Sequence, residues 1–247
     1  MAKVKKISQA VLLAGGLGTR LRPLTDDTPK SMLRFHGRPF LEYLIELLRE
    51  NGIAEIIFLL GYLAEQITTH FKDGLAFGVA IKYSITEVEG TGTALKKAEY
   101  LLDNHFLLVN GDAYWPLDLE TLIQFHNQLA PLCSIVVYVN KDAITKNNVL
   151  VDQAGYVIEY DAARQAENLN GVHTGFSLAS KEILELAPAT NFLFEPEIFP
   201  ELIKQRQLAA YQTQQRHYTF GRLEQLPAVA EFLAPKTRPE RFDTMSL

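Results

Sequence analysis

The sequence predicts an α/β fold: a mostly parallel sheet with helices on both faces, followed by a small mixed C-terminal region. Three observations predict it. Short apolar runs alternate with segments of helical period over residues 6–140. Glycine-bearing turns follow two of those runs, at 14–18 and 110–112. Beyond residue 140 the rhythm changes to short strands and turns.

"KISQAVLL" (6–13) reads as a buried strand. "PFLEYLIELLREN" (39–51) carries apolar residues at 40, 41, 44, 45, 47 and 48, which form one helical face. Pro39 suits its first turn, and Gly52 ends it. "EIIFLLG" (55–61) is a strand, "LAEQITTHF" (63–71) a helix and "VAIKYSI" (79–85) a strand. "GTALKKAEYLL" (92–102) is a helix, "HFLLVNGD" (105–112) a strand, "DLETLIQFHNQL" (118–129) a helix and "CSIVVYVN" (133–140) a strand. Apolar strands separated by helices imply a parallel sheet covered on both faces. Such sheets bind ligands beyond the C-terminal strand ends, where both glycine turns fall. Further on, "NNVLVD", "GYVIEYD" and "GVHTGFSLA" read as short strands. Helices follow near 180–187 and 195–206, strands near 208–212 and 216–220, and a last helix over 222–233. The polar, proline-bearing tail 235–247 is expected to be mobile.

Composition narrows the function. The 247 residues are 47% hydrophobic and 21% charged, as in ordinary globular chains. The balance of 24 basic against 29 acidic residues lacks the basic surplus of a nucleic-acid binder. Lys3, Lys5, Lys6 and the basic stretch 236–241 read as solvated ends. A single cysteine, Cys133, excludes an internal disulfide and reads as a small buried thiol. The six histidines (36, 70, 105, 126, 173, 217) show no metal-ligand spacing, so no zinc site is expected. The start "MAKVKKISQAVLLAGG" imitates a secretory signal, but Ser8 and Gln9 interrupt its apolar part. No apolar run approaches the ~18 residues of a membrane span. The expectation is a soluble cytoplasmic protein with no membrane and no nucleic-acid partner.

The stretch "AVLLAGGLGTRLRPLTDDTPKSML" (10–33) carries the chemistry. It lacks the lysine and hydroxyl residue of a P-loop, and Leu21 stands where the dinucleotide fingerprint needs its third glycine. Pro23 and Pro29, with Thr25, Asp26 and Asp27 between them, make 14–30 a long irregular loop. Gly15, Gly16 and Gly18 let main-chain amides approach a ligand without a Cβ clash, as in an anion-binding nest. Arg20 can fork onto phosphate oxygens, and Lys30 is a point charge on a flexible stem. The loop reads as a phosphate holder.

"LAGGLGTRLRPLTDDTPKSM" (13–32) resembles the signature of the sugar-1-phosphate nucleotidyltransferases, L-A-G-G-x-G-T-R-L-x-P-L-T followed by P-K-x-M. The resemblance extends through "GRPFLEYLIELLRENGI", "GYLAEQI", "EVEGTGTAL" and "NGD", covering residues 7–140 well and the remainder loosely. Within the family, the likeness is to short bacterial members acting on heptose, mannose or N-acetylmuramate 1-phosphates. It implies a Rossmann-like nucleotidyltransferase domain over 1–234. About 6–140 would be the nucleotide-binding half and about 141–234 the sugar-binding lid.

The implied reaction joins a nucleoside triphosphate to a sugar 1-phosphate, giving a nucleoside diphosphate sugar and pyrophosphate, for nucleotide-sugar and cell-envelope polysaccharide synthesis. The resemblance implies that the amides of Gly15, Gly16, Gly18 and Thr19 hold the triphosphate. Arg20 would stabilise the departing pyrophosphate, and Lys30 would bridge the reacting phosphates. Leu13 and Ala14 would present main-chain groups to the base, and Gly90 and Thr91 would pack on the nucleoside. Asp112 would hold Mg²⁺, which needs few protein ligands when substrate phosphates supply the rest. Asn110, Arg164, Asn170 and Gly171 would meet the sugar. Three departures stand out. Thr219 occupies the place of a second metal-binding Asp, Ala162 and Ala163 replace a Glu-Lys pair, and Val172 replaces a glycine. Without the resemblance, "EVEGTGTA" is a helix start capped by Thr91 or Thr93.

The expected partners are a triphosphate and a sugar 1-phosphate, with the chain a monomer or small homo-oligomer. Likeness to the short members favours GTP with a mannose- or heptose-type sugar, and a uridylyltransferase comes second. Two rivals stand beside it. One is a non-catalytic nucleotide or sugar-phosphate binding module, suggested by positions 162, 163 and 219. The other is transfer to a different phosphorylated acceptor such as phosphocholine, suggested by Tyr114, Trp115 and Tyr160.

Overall fold

In the computed structural model, residue 4 and residues 6–143 and 145–234 are described. The expected mobile tail at 235–247, with the basic stretch 236–241, and the solvated Lys3 and Lys5 lie outside the described residues. Among the described residues, thirteen strands and six α-helices follow in order. The first part comprises β1 (Gln9–Leu13), β2 (Arg34–Phe35), β3 (Arg38–Pro39), α1 (Phe40–Glu50), β4 (Glu55–Leu60), α2 (Ala64–Phe71) and β5 (Ala80–Ile85). Next come α3 (Thr91–Lys97), β6 (His105–Asn110), β7 (Ala113–Tyr114), α4 (Leu119–Leu129) and β8 (Cys133–Tyr138). The last part comprises β9 (Val149–Val151), β10 (Val157–Tyr160), β11 (Val172–Ser180), α5 (Phe194–Lys204), β12 (Leu208–Thr213), β13 (Tyr218–Thr219) and α6 (Leu226–Phe232).

Seven strands form one sheet in the order β12-β8-β11-β6-β1-β4-β5. β5, β4, β1 and β6 run parallel, and β12 runs parallel to β8. β11 is antiparallel to both β6 and β8. Without β11, the sheet has the doubly wound 3-2-1-4-5-6 strand order. The fold is thus the expected α/β, Rossmann-like one. The antiparallel strand, read from sequence as part of a separate mixed region, lies inside the main sheet.

Both sheet faces are covered because alternate side chains point opposite ways. Ala10, Leu12, Ile56, Phe58 and Leu60 pack with Phe40, Leu44, Ile67 and Leu122 of α1, α2 and α4. Val11, Ile57 and Leu59 pack with Leu95 of α3 and Ile198, Phe199 and Leu202 of α5. Each of these valine, leucine, isoleucine and phenylalanine side chains, fully buried, contributes roughly 1.5–3 kcal/mol. The β9–β10 hairpin packs on the second face through Val149, Val151 and Val157. Cys133 is buried, and burial pushes its thiol well above the usual range, so it is inert filler.

Several expected elements differ in detail. The 92–102 helix is α3 followed by a 3₁₀ turn at Glu99–Leu101. Residues 181–186 form a 3₁₀ helix capped by Ser180, not an α-helix. The 14–30 loop contains a 3₁₀ turn at Thr19–Leu21, and a second such turn begins at Lys30. The ribbon β2–β3 was not read from sequence, nor was the pairing with β7 of β13, the strand expected near 216–220. No helix among the described residues is long and apolar enough to cross a membrane.

Candidate active site

The strand order reverses between β1 and β6. Ligands of open α/β sheets bind outside the carboxyl ends of the strands at that point. A cleft of about 380 Å³ opens there, lined by Leu13–Gly16, Lys30, Gly61, Thr86, Glu89, Thr91, Asn110–Asp112 and Glu195 among others. The structure therefore brings Leu13, Ala14, Gly15, Gly16, Lys30, Thr91, Asn110 and Asp112 into one wall.

Glycine makes the wall possible. A Cβ on Gly15 would lie 2.9 Å from the Gly61 amide nitrogen, and one on Gly111 would lie 2.8 Å from the Leu13 carbonyl oxygen. Real Cβ atoms do not approach main chain so closely, so β1, β4 and β6 can converge at their tips only without side chains. The Gly111 amide donates to the Leu13 carbonyl at 3.0 Å, and the Ala14 amide to the Leu59 carbonyl at 3.0 Å. Beyond them, the amides of residues 15–19 donate to no group among the described residues. They are free to bind an anion.

The loop behind them is pinned. Leu21 and Thr25 are buried, and the Thr25 hydroxyl donates to the Gly18 carbonyl at 2.9 Å. Tyr62 and Gln66 donate to the Asp26 and Asp27 carbonyls at 2.6 and 2.7 Å. Gly18 is left-handed at φ 63°, and a Cβ there would sit 3.1 Å from Lys30 Cβ. Lys30 Nζ lies 5.6 Å from the centre of the buried Phe220 ring and is ion-paired with Asp112. Glycine on one side and phenylalanine on the other thus aim the lysine at the carboxylate. Arg20 is exposed at the loop's outer edge; a Cβ on Gly221 would lie 3.4 Å from its Nη2.

Asp112, the metal ligand expected from the sequence, lines the cleft, and Thr219 pairs with its neighbour Ala113 across the β7–β13 ribbon. No group of three or more His, Cys, Asp or Glu among the described residues is placed to hold a metal. One hard carboxylate facing a cleft with room for substrate phosphates fits Mg²⁺, which keeps several waters and shares substrate oxygens.

Gly90 and the two threonines of "GTGT" hold the wall to the start of α5. The Gly90 amide donates to Asn191 Oδ1 at 2.8 Å. Thr93 Oγ1 accepts from the Phe192 amide at 2.8 Å, and Thr91 Oγ1 from the Phe194 amide at 3.1 Å. The α3 cap is Gly90, with no side-chain bond, so the capping expected of Thr91 or Thr93 does not occur. Their hydroxyls instead fasten the segment that delivers Glu195.

Glu195 was not singled out from sequence. Tyr160 Oη donates to its Oε2 at 2.5 Å, Asn110 Nδ2 donates to its Oε1 at 3.3 Å, and His173 Nδ1 lies 3.3 Å from Oε1. Burial by itself would raise this carboxyl, but His173 and the two hydrogen bonds outweigh it and hold the pKa at about 2. Burial, with the adjacent Glu195 charge, pushes the Tyr160 hydroxyl up, so it stays a donor. Gly175, left-handed at φ 85°, fits because it has no Cβ: one there would crowd Ala113 and Asn110 at 3.0–3.1 Å. His173, a titratable side chain within the strand-like stretch "GVHTGFSLA", was the available signal for this cluster.

Gly18, Thr19, Arg20, Gly90, Arg164, Asn170 and Gly171 do not line the cleft wall. The Asn170 side chain bonds the main chain of Val151 through both its atoms at 2.9 Å. Gly171 bridges to Val149. Arg164, at φ 58°, donates to Thr145 Oγ1 at 3.3 Å and to the Lys146 carbonyl. Ala162 and Ala163 are exposed on a turn tied by Asp161.

The sequence profile of the nucleotidyl transferase family matches residues 9–160. Over 191 residues the chain is 35% identical to a D-glycero-alpha-D-manno-heptose 1-phosphate guanylyltransferase of Campylobacter jejuni, covering 76% of this chain and 83% of that protein. It is 30% identical over 213 residues to a UTP--glucose-1-phosphate uridylyltransferase of Synechocystis, covering 79% of this chain but only 55% of that protein's length. HddC from Yersinia pseudotuberculosis, solved in complex with GMP-PN, has the same fold at a TM-score of 0.77 and 28% identity, over 92% of this chain and 99% of that one. The matched stretch spans most of the chain and contains the glycine loop, Lys30 and Asp112, so this chain belongs to the nucleotidyl transferase family.

Proposed function

We propose that the protein transfers a nucleotidyl group from a nucleoside triphosphate to a sugar 1-phosphate and releases pyrophosphate. The preferred pair is GTP with a mannose- or heptose-type sugar, and the compartment is the cytoplasm. One observation carries the reading: free main-chain amides and the Lys30–Asp112 pair converge at the switch point of the sheet. Likeness to the Campylobacter guanylyltransferase supports the choice of base and sugar.

The amides of residues 15–19 bind the triphosphate. Lys30 neutralises charge on the reacting phosphates, and Arg20, from the loop's edge, steadies the departing pyrophosphate. A phosphate monoester loses its second proton near pH ~6, so the attacking oxygen is already anionic and needs no general base. Catalysis then reduces to alignment and charge neutralisation. Mg²⁺, held by Asp112 and substrate oxygens, would supply further neutralising charge. Arriving phosphates compete for Lys30 and release Asp112 from its ion pair, so one event engages the lysine and frees the carboxylate. Leu13 and Ala14 edge the base pocket; their Leu13 carbonyl and Ala14 amide are already used within the sheet tips.

A matrix of four triphosphates against mannose, heptose, glucose and N-acetylmuramate 1-phosphates, scored for pyrophosphate, tests this. Pyrophosphate from GTP with a manno-configured sugar is the expected result. Release from UTP alone moves the protein to the uridylyltransferases, a reading the Synechocystis likeness favours. Triphosphate binding with no release anywhere makes it a binding module.

A further inference from the structure

Where α5 meets the cleft, its lining carries a negative charge that phosphate chemistry does not use. Glu195 enters it from the start of α5 with 25% of its side-chain surface open. Asn110 from β6, Tyr160 from β10 and His173 from β11 hold its two oxygens. His173 is itself fixed: its amide donates to Asn148 Oδ1 at 2.9 Å, and its Nε2 lies 3.4 Å from Ser177 Oγ. A carboxylate has about four acceptor sites, and these partners use three. A purely structural carboxylate in such a network would be sealed, whereas this one keeps a face on the cleft.

An ionised carboxylate repels phosphate and attracts uncharged donors. The triphosphate and the anomeric phosphate therefore belong at the Lys30 end. What reaches Glu195 has to bring O–H groups. Positions 162 and 163 are alanines on an exposed turn, so no carboxylate competes with Glu195 from there. We propose that Glu195 accepts hydrogen bonds from ring hydroxyls of the sugar 1-phosphate, and that its charge excludes sugars bearing a carboxylate. Asn110, Tyr160 and His173 are positioning residues that fix the carboxylate's direction. The proposal rests on the sugar-1-phosphate reading and deepens it. It selects neutral sugars of the mannose and heptose type against N-acetylmuramate.

The test uses the full chain, wild type and Glu195→Gln, with GTP and mannose 1-phosphate, its 2-, 3-, 4- and 6-deoxy analogues, and N-acetylmuramate 1-phosphate. Glu195→Gln should raise KM for mannose 1-phosphate about 10–100-fold, the range for hydrogen bonds to a charged group, and leave KM for GTP unchanged. At least one deoxy analogue should lose about tenfold or more in the wild type and lose nothing further in the variant. The ratio of mannose to N-acetylmuramate 1-phosphate turnover should shrink in the variant. Equal losses for GTP and sugar, or a full deoxy penalty retained in the variant, would overturn the assignment. If Glu195→Gln does not fold, the wild type decides alone: equal use of mannose and N-acetylmuramate 1-phosphates overturns it. If the wild type releases no pyrophosphate, the activity itself is wrong. Calorimetric titration of mannose 1-phosphate into both proteins then tests Glu195, equal affinities overturning it and a tenfold or greater loss supporting it.

Discussion

The two ends of the cleft are built differently. At the β1 end the functional groups are main-chain amides, exposed by glycines that let three strand tips converge, plus a single ion pair. At the α5 end they are side chains from four elements, cross-linked around one carboxylate. Main chain suits a ligand part that never varies, such as a polyphosphate. Side chains suit a part that differs between substrates. Damage at the first end should therefore remove rate, and damage at the second should redirect selectivity.

The largest effect expected is from Lys30→Ala. Losing one preorganised charge donor should lower turnover by about 10²–10³, with unfolding by urea little changed. A KM effect confined to the sugar phosphate would break the comparison, because it would place Lys30 at the selective end. The α5 end has an acid signature instead. Glu195, held at about 2 against an ordinary 4.5, stabilises the fold fully above pH 4.5. That contribution, at most about 3 kcal/mol, is lost as pH falls from 4.5 towards 2. Denaturation curves of wild type and Glu195→Gln should converge over that window, and parallel curves would contradict it.

Smaller effects test how the two ends are joined. A Cβ on Gly90 would lie 2.0 Å from the Phe192 carbonyl oxygen, so Gly90→Ala should cost about 1–3 kcal/mol of stability by overpacking. Thr93→Val removes the acceptor for the Phe192 amide and should cost ~1 kcal/mol. Its clearest sign would be faster amide exchange at Phe192, with exchange at Gly111, whose amide donates to the Leu13 carbonyl, unaffected. Faster exchange at both would show one mechanical unit instead of two.

The first end was legible in the sequence and the second largely was not. The apolar run 6–13, the glycines, Lys30 and Asp112 lie in short signals that stand alone, and local turn chemistry dictates them. Glu195, His173 and Tyr160 are distant in sequence and meet only because β11 enters the sheet antiparallel between β6 and β8. That insertion depends on long-range pairing, which no local period encodes. The same cause misled the reading of Thr91 and Thr93, whose hydroxyls serve a segment about a hundred residues away. Asn170 looked like a sugar contact by its neighbours in sequence, yet its amide completes the main chain of Val151.

Pyrophosphate release from GTP and mannose 1-phosphate, followed with wild type and Asp112→Asn side by side in Mg²⁺ buffer, probes the account at its centre. The wild type should turn over, and the variant should retain the fold while losing essentially all Mg²⁺-dependent release. Near-normal release by Asp112→Asn would mean that the cleft between β1 and β6 is not where the phosphates react.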